Sequence, residues 1–436
     1  MYKNIKEAPY LNVEGLHRDL GRVMVVAPHP DDESLACGGL IAYLTSQGAK
    51  VSILFMTNGE ASHPNSKNYP PQLLGDLRKK EALKACEILG VAKSEVIFLN
   101  AGDGKLFSFV EEGAAVYGKL KDILEKTHFD TLFVPWRRDH HIDHIATNKI
   151  IRKAAQGLDL IIAEYPVWLW KKGSQEDWPV PDEILPFRLN IEGVKPKKME
   201  AIYSHRSQLT NLIDDDPDGF VFTEDLLKPF LDDNEYYFFP QEEKPPVKKE
   251  YFDELFSKDN DPWNFETSRY EQKKYQKTLD ALPERDYKNA LEIGCANGVF
   301  TNLLAERCNQ VLALEHNANA LDAARKRAGD RQNCRFLKWD ISKGLPEENF
   351  DLVVLSEVGY YFKKDQLLEI YRDIEEALLP GGIFIMVHWT SYVREYPLTG
   401  LQVHELFENE YSKKFKKLNA HREELYDLVV WEKLAK

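Results

Sequence analysis

Histidine and aspartate, the side chains that hold divalent metals and move protons, crowd into two short stretches of this 436-residue chain. The first is His29-Pro30-Asp31-Asp32-Glu33 and the second is Asp139-His140-His141-Ile142-Asp143-His144. Zinc takes histidine nitrogen and carboxylate oxygen, and a catalytic zinc site keeps one position open for water. His29 and Asp32 offer two ligands from one turn. The second stretch can supply a third, and His141 and His144, three apart, share one face at the start of a helix. A carboxylate beside a ligand, such as Asp31, is placed to take a proton from water. A histidine across the site can stabilise an oxyanion. Each residue also has an ordinary role, and Asp32 ahead of Leu35 reads equally as a helix cap. The metal reading rests on the combination of the two clusters.

A second kind of chemistry belongs to Leu291-Glu292-Ile293-Gly294-Cys295-Ala296-Asn297-Gly298. Gly294 and Gly298 let the backbone approach a ligand closely, just after a strand and before a helix. Glu315 ends the next strand, where a carboxylate can accept both ribose hydroxyls of a nucleoside. Asp340 follows Trp339 at the end of a third strand, and Glu357 ends a fourth. The alternatives are a solvated strand end for Glu315 and a cap on Ile341 for Asp340. Tyr360 and His388, at or just past strand ends, are candidates to meet a second substrate.

These residues need strands to carry them to one edge. Val23 to Val26 reads as a buried strand before the first cluster, followed by a helix from Leu35 to Gly48. Strands are expected at 51–56, 96–99, 131–134 and 159–162, with helices at 73–89, 116–126 and 142–155. After the charged, proline-bearing stretch 241–250 the alternation restarts. Strands are expected at 290–293, 311–314, 335–339, 351–355, 383–387 and 424–432, with helices at 299–306, 318–327 and 366–379. Strand–helix alternation predicts parallel, doubly wound α/β sheets with ligands at the carboxyl ends of the strands. The expected organisation is two such domains, 1–240 and 251–436, joined by 241–250. Asp214-Asp215-Asp216-Pro217-Asp218-Gly219 reads as a solvated loop, since it lacks the spacing and closing Glu of a calcium loop.

Composition sets limits. A formal net charge of −14 argues against nucleic acid as the main partner. Five scattered cysteines without CxxC spacing argue against a disulfide scaffold or zinc ribbon and fit a reducing compartment. Residues 1–20 lack an apolar signal core, and no run is long enough to span a bilayer, so a cytoplasmic protein is expected. The oligomeric state is open.

The two halves resemble known families. His29-Pro30-Asp31-Asp32-Glu33 with His141-Ile142-Asp143-His144, and with Arg78, Glu81 and Ser207-Gln208, resembles the LmbE/PIG-L family of zinc-dependent deacetylases over roughly residues 20–240. The resemblance implies His29, Asp32 and His144 as metal ligands and Asp31 as general base. It implies His141, oriented by Asp143, as the group that stabilises the oxyanion or protonates the leaving amine. Arg78 is expected at the substrate edge, paired either with a site carboxylate or with Glu81. Iron(II), cobalt and nickel also accept this ligand set. The second half resembles class I S-adenosylmethionine methyltransferases, and more narrowly the NodS-like N-methyltransferases, through Glu292 to Gly298, Phe300-Thr301, Glu357 to Tyr361 and Pro380-Gly381-Gly382. Glu292, Gly294, Gly298, Glu315, Asp340 and Glu357 are then the cofactor residues, with Ala296 standing where glycine is usual. Asp261 to Asn264 and Tyr270 are expected either as a lid or as aromatic packing. The implied function is amide hydrolysis of an N-acetylated amino sugar followed by N-methylation of the freed amine. The alternatives are action on two different molecules, O-methylation, or a metal- and cofactor-sensing protein without catalysis.

Overall fold

The computed structural model describes residues 5–112, 114–180 and 182–435. Two compact units divide the chain, one ending at Gln241 and the other beginning at Glu242. Both are built on a seven-stranded sheet.

The first unit has strands β1 (Val23–Ala27), β2 (Val51–Thr57), β3 (Val96–Ala101), β4 (Thr131–Pro135), β5 (Ile161–Tyr165), β6 (Ile184–Asn190) and β7 (Asn234–Pro240). Its main helices are α1 (Asp32–Ser46), α2 (Pro71–Ile88), α3 (Ala114–Thr127), α4 (Ile142–Ala154) and α5 (Lys195–Ser204). Strands β1, β2 and β4 are buried along their whole length, which is why they read as apolar runs without alternation. The sheet order is β3-β2-β1-β4-β5-β7-β6. The chain therefore reverses direction of winding between β1 and β4, whose registers match Val23 with Thr131. A crevice at the carboxyl ends of the strands forms at such a switch point, and both His/Asp stretches follow these two strands.

The doubly wound α/β sheet expected from the alternation is present, and it is mixed. Five strands are parallel, but β7 runs antiparallel to β5 and β6 antiparallel to β7. Pro186 sits in the edge strand β6, where a missing N–H is tolerated. Helix α1 begins at Asp32 rather than Leu35. Glu235 of β7 fastens this helix from the other end of the unit. Its carboxylate accepts from Gly39 N at 2.7 Å, Leu40 N at 2.8 Å and the Tyr237 hydroxyl at 2.7 Å, and it pairs with buried Lys198 of α5 at 2.8 Å. The acidic loop also has a structural task. Asp215 accepts from Ser66 Oγ and from the N–H groups of Lys67 and Asn68, and Asp216 accepts from Asn65 N.

The second unit has strands β8 (Ala290–Ile293), β9 (Val311–Glu315), β10 (Cys334–Lys338), β11 (Phe350–Ser356), β12 (Leu378–Trp389), β13 (Phe415–Arg422) and β14 (Tyr426–Lys433). Its helices are α6 (Lys249–Lys258), α7 (Arg269–Asp280), α8 (Val299–Leu304), α9 (Ala318–Ala328), α10 (Lys364–Ala377) and α11 (Gly400–Tyr411). The order β10-β9-β8-β11-β12-β14-β13 repeats the first unit's pattern, again with an antiparallel pair at one side. Here the switch point lies between β8 and β11. Helix α10 buries Leu367, Ile370, Tyr371 and Ile374 on one stripe against the sheet. Helix α6 begins at Lys249, inside the stretch expected as linker. No described helix is long and apolar enough to cross a membrane, and all five cysteines are free.

Candidate active sites

The turn after β1 is strained. Asp31 occupies the cap position of α1 with φ 134°, a region L-residues rarely adopt. Its side chain does not cap the helix. Instead Arg78 of α2 donates to Asp31 Oδ2 at 2.9 Å, Pro30 O at 2.7 Å and Gly59 O at 2.9 Å. The open choice for Arg78 is thereby decided in favour of the site carboxylate. Glu81 is engaged elsewhere, accepting from Ser207 N and Oγ. Glu33 supports the turn by accepting from Asp31 N, from Ser34 Oγ and from His205 across the unit at 3.0 Å.

Three imidazoles gather beside Asp32. Asp32 Oδ2 lies 3.4 Å from His29 Nδ1 and 3.3 Å from His144 Nε2. His144 is fully buried, its Nδ1 is 2.7 Å from Asp139 Oδ2, and its Nε2 makes no hydrogen bond. A carboxylate on one ring nitrogen and an orphaned lone pair on the other is the arrangement of a metal-ligating histidine. Among the described residues, two groups of three place ligand atoms within 4.8 Å of one another: His29, His141 and His144, and His29, Asp103 and Asp143. The donor set therefore fits a divalent cation, with Asp32 Oδ2 lying close to both His29 and His144.

The surrounding acids make the centre a place for positive charge. Burial opposes the charged form of His144, but Asp32 and Asp139 raise its pKa to about 9. Burial is likewise outweighed at His29 by Asp103, Asp143 and Asp32, which raise it. Asp32 is held well below the carboxylate range because His144 and His29 outweigh burial. Burial pushes the Asp31 carboxyl up to about 7, against the pull of Arg78 and with the Asp32 charge adding to it. Burial, then the neighbouring His29 and His144, lower His141 to about 3.

One expected role is corrected. The Asp143 side chain does not orient His141. Its carboxylate faces His29 Nε2 at 3.4 Å and accepts from Gly104 N and Leu106 N. The Asp143 backbone N–H donates to His141 Nδ1 at 3.2 Å, which leaves the His141 proton on Nε2. Sequence reasoning also missed Asp103, 3.2 Å from His29 Nε2. The signal was available, because Asp103 follows β3 at the same sheet edge. Its flanking glycines read as an ordinary turn.

In the second unit the glycine loop is drawn tight. Gly294 and Gly298 both have φ 77°, and a Cβ on Gly294 would lie 2.4 Å from Val358 Cγ2. Ala296, in glycine's usual place, also takes a positive φ, 47°. Glu315 fixes the loop by accepting from Ala296 N at 3.0 Å on Oε2 and from Asn317 N at 2.8 Å on Oε1, which His316 Nδ1 also approaches at 3.2 Å, so Oε2 keeps a second lone pair. Glu292 is buried with Oε2 unpartnered, and burial raises it to about 7. An orphaned acid beside a loop that a Cβ would clash with fits a nucleoside cofactor. Asp340 is half-exposed and caps the short turn after β10 by accepting from Ser342 N and Oγ, the alternative role noted from sequence. Trp263 packs on Phe256 and Phe265, in a cluster that reaches Ala296.

Glu357, after β11, has φ 58°. It accepts from the Tyr360 hydroxyl at 2.5 Å, Trp389 N at 3.0 Å and Lys274 Nζ at 2.8 Å. His388 is corrected as a substrate contact. It is fully buried, its Nε2 accepts from Gly359 N at 3.1 Å, and its Nδ1 faces His404 Nε2 at 3.1 Å. It holds the Glu357 turn from behind.

Comparison with known proteins matches this division. A family model described as GlcNAc-PI de-N-acetylase (PIG-L) matches residues 24–155, and one described as Nodulation protein S (NodS) matches residues 248–391. Nodulation protein S of Bradyrhizobium diazoefficiens is 35% identical over 130 residues, 29% of this chain and 61% of that protein. A Bacillus cereus protein named "Probable N-acetyl-alpha-D-glucosaminyl L-malate deacetylase 2" is 29% identical over 200 residues, 44% of this chain and 86% of its own. The chain spans only 52%, 57% and 61% of three nodulation proteins it matches. The solved N-methyltransferase NodS from Bradyrhizobium japonicum in complex with S-adenosyl-L-homocysteine is 22% identical, covers 42% of this chain and 97% of its own, and gives a TM-score of 0.39. Two enzyme domains, a deacetylase type and a methyltransferase type, thus share one polypeptide. By family model, the first unit carries a PIG-L (LmbE) deacetylase-type domain and the second a NodS methyltransferase-type domain.

Proposed function

We propose that the chain is a bifunctional enzyme that hydrolyses the N-acetyl amide of an amino sugar and N-methylates the amine so released. The observation that carries this reading is the pairing, on one chain, of a His/Asp hydrolytic centre with a methyl-donor loop. Amide hydrolysis yields the nucleophile that methyl transfer to nitrogen consumes.

Zinc or another divalent metal, held by His29, Asp32 and His144, would supply a water of lowered pKa and a polarised carbonyl. Asp31, held by Arg78 with its carboxyl near neutrality, takes the proton of the attacking water. His141, with its proton on Nε2, donates to the developing oxyanion or to the leaving nitrogen. In the second unit, S-adenosylmethionine would supply the methyl group. Glu292, Gly294, Gly298 and Glu315 position it, and Glu357 and Tyr360 line the acceptor side. Positioning supplies most of the rate for such a displacement.

The test is mass spectrometry of the protein with N-acetylated amino sugars and short chitin oligomers, with and without S-adenosylmethionine and a chelator. The expected result is loss of an acetyl mass that the chelator blocks, then gain of a methyl when the donor is added. Acetyl loss without methyl gain would remove the second half of the reading.

A further inference from the structure

Helix α7 carries a buried lysine, Lys274. The Lys274 side chain is 2% exposed and is shared by two acids, Glu271 of its own helix and Glu357 of the turn after β11, each at 2.8 Å. The two carboxylate side chains are largely buried as well, at 11% and 18% exposure. One buried cation is thus shared between two largely buried acids. The Tyr270 hydroxyl beside them is buried without a hydrogen-bond partner, and Lys274 Nζ lies 5.5 Å from its ring centroid. The cluster adjoins the methyl-donor loop, because Val358, next to Glu357, is the residue packed on Gly294.

Two carboxylates against one lysine leave a negative charge unmatched, or force a proton onto one of them. Uncompensated buried charge is costly, so such a site favours a cation. Burial raises the Glu271 carboxyl, with Lys274 opposing and Glu357 adding to the rise, so it is suited to hold a proton. We propose that Glu271 and Glu357 form the subsite for the protonated amine of the methyl acceptor, with Lys274 as the positioning residue that fixes both. The proposal rests on the N-methylation reading and deepens it. The ammonium gives one proton to the Glu271 carboxylate. The freed lone pair then forms the N–C bond as the S–C bond of the donor breaks, leaving a thioether and a secondary ammonium. An N-acetyl amide has neither the charge nor the lone pair, and a hydroxyl lacks the charge. The site therefore accepts sugars only after deacetylation, which orders the two reactions.

The test measures methyl transfer from labelled S-adenosylmethionine to a glucosamine disaccharide by the full chain. Glu271→Gln should raise the amine KM by about tenfold or more while the donor KM stays within about twofold, the loss expected for a charged hydrogen bond. An unchanged amine KM overturns the proposal. So does a parallel rise in the donor KM, which would assign the cluster to the cofactor. In the unmutated protein, the corresponding glucose disaccharide should fail to inhibit at about ten times the amine KM, and inhibition there also overturns it. Methyl transfer that ignores Glu271→Gln leaves the N-methyltransferase reading standing. No transfer to any amine removes both.

Discussion

Both units bury histidines within the same sheet topology, yet their surroundings shift the two sets in opposite directions. In the first unit His29 and His144 face Asp32, Asp103, Asp139 and Asp143, and their pKa values rise. In the second, His388 and His404 face each other and a backbone N–H. Burial and the neighbouring imidazole lower His388, and burial takes His404 to about 4. Burial alone would neutralise all four. The partners decide: a ring of acids builds a place for positive charge, and a histidine pair builds a neutral prop for a turn. Identical topology thus supports unrelated chemistry because the loops, rather than the sheet, carry it.

The contrast can be broken, beginning with the largest effect. Asp31→Asn should lower deacetylation by about 10²–10⁴-fold, the range for a lost general base, and leave methyl transfer to a supplied amine unchanged. Separate assays of the two activities read this, and a matching fall in both would mean the units are not chemically independent. Asp103→Asn removes a carboxylate that orients His29. It should weaken metal affinity by about 10–100-fold, read by competition with a chromogenic chelator, without affecting donor binding in the second unit.

Acid should separate the units next. The folded pKa of His404, about 4, lies below its unfolded value, so the unfolded chain binds more protons in between. Stability from the neutral pair is present above about pH 6.5 and is lost as pH falls toward 4, by up to about 3 kcal/mol. Thermal unfolding at pH 7 and pH 4.5 should show this, with His404→Gln reducing the difference. A His404→Gln protein with unaltered acid sensitivity would place the sensitive group elsewhere. The smallest effect concerns Ala296. Replacing it with glycine relieves left-handed strain of about 1–2 kcal/mol against about 0.4–1 kcal/mol of added freedom in the unfolded chain. The denaturant midpoint should rise slightly, and a fall would mean that the Ala296 methyl packs usefully.

Much of this was legible in the sequence because the informative signals are local. Val23 to Val26 is an uninterrupted apolar run, and the acids and histidines follow it within one turn. Strand β8 is bounded by residues that sequence alone identifies, Ala290 and Ile293. The edge strands on the antiparallel side of each sheet, β6 and β13, were not legible. Strand β6 mixes Pro186 and Arg188 with apolar residues, and β13 carries the adjacent Lys416 and Lys417 and buries only Phe415, so neither shows the continuous run of a buried strand. The partner of Asp143 was equally hidden. Spacing puts it two residues from His141, but the fold turns its carboxylate toward His29, 114 positions earlier in the chain. Lys274 carries no motif, and its meaning comes only from Glu357, 83 residues downstream.

The grip of Glu235 on α1 bears on how the first unit comes into being during synthesis. Every proposed metal ligand has been made by His144, but the carboxylate that fastens α1 arrives about 90 residues later. At ~5–20 residues per second, the nascent chain carries its full set of ligands for roughly 5–20 seconds before the helix bearing Asp32 can be locked in place. A metal that reaches the ribosome-bound chain in that interval meets the donors before the scaffold that arranges them.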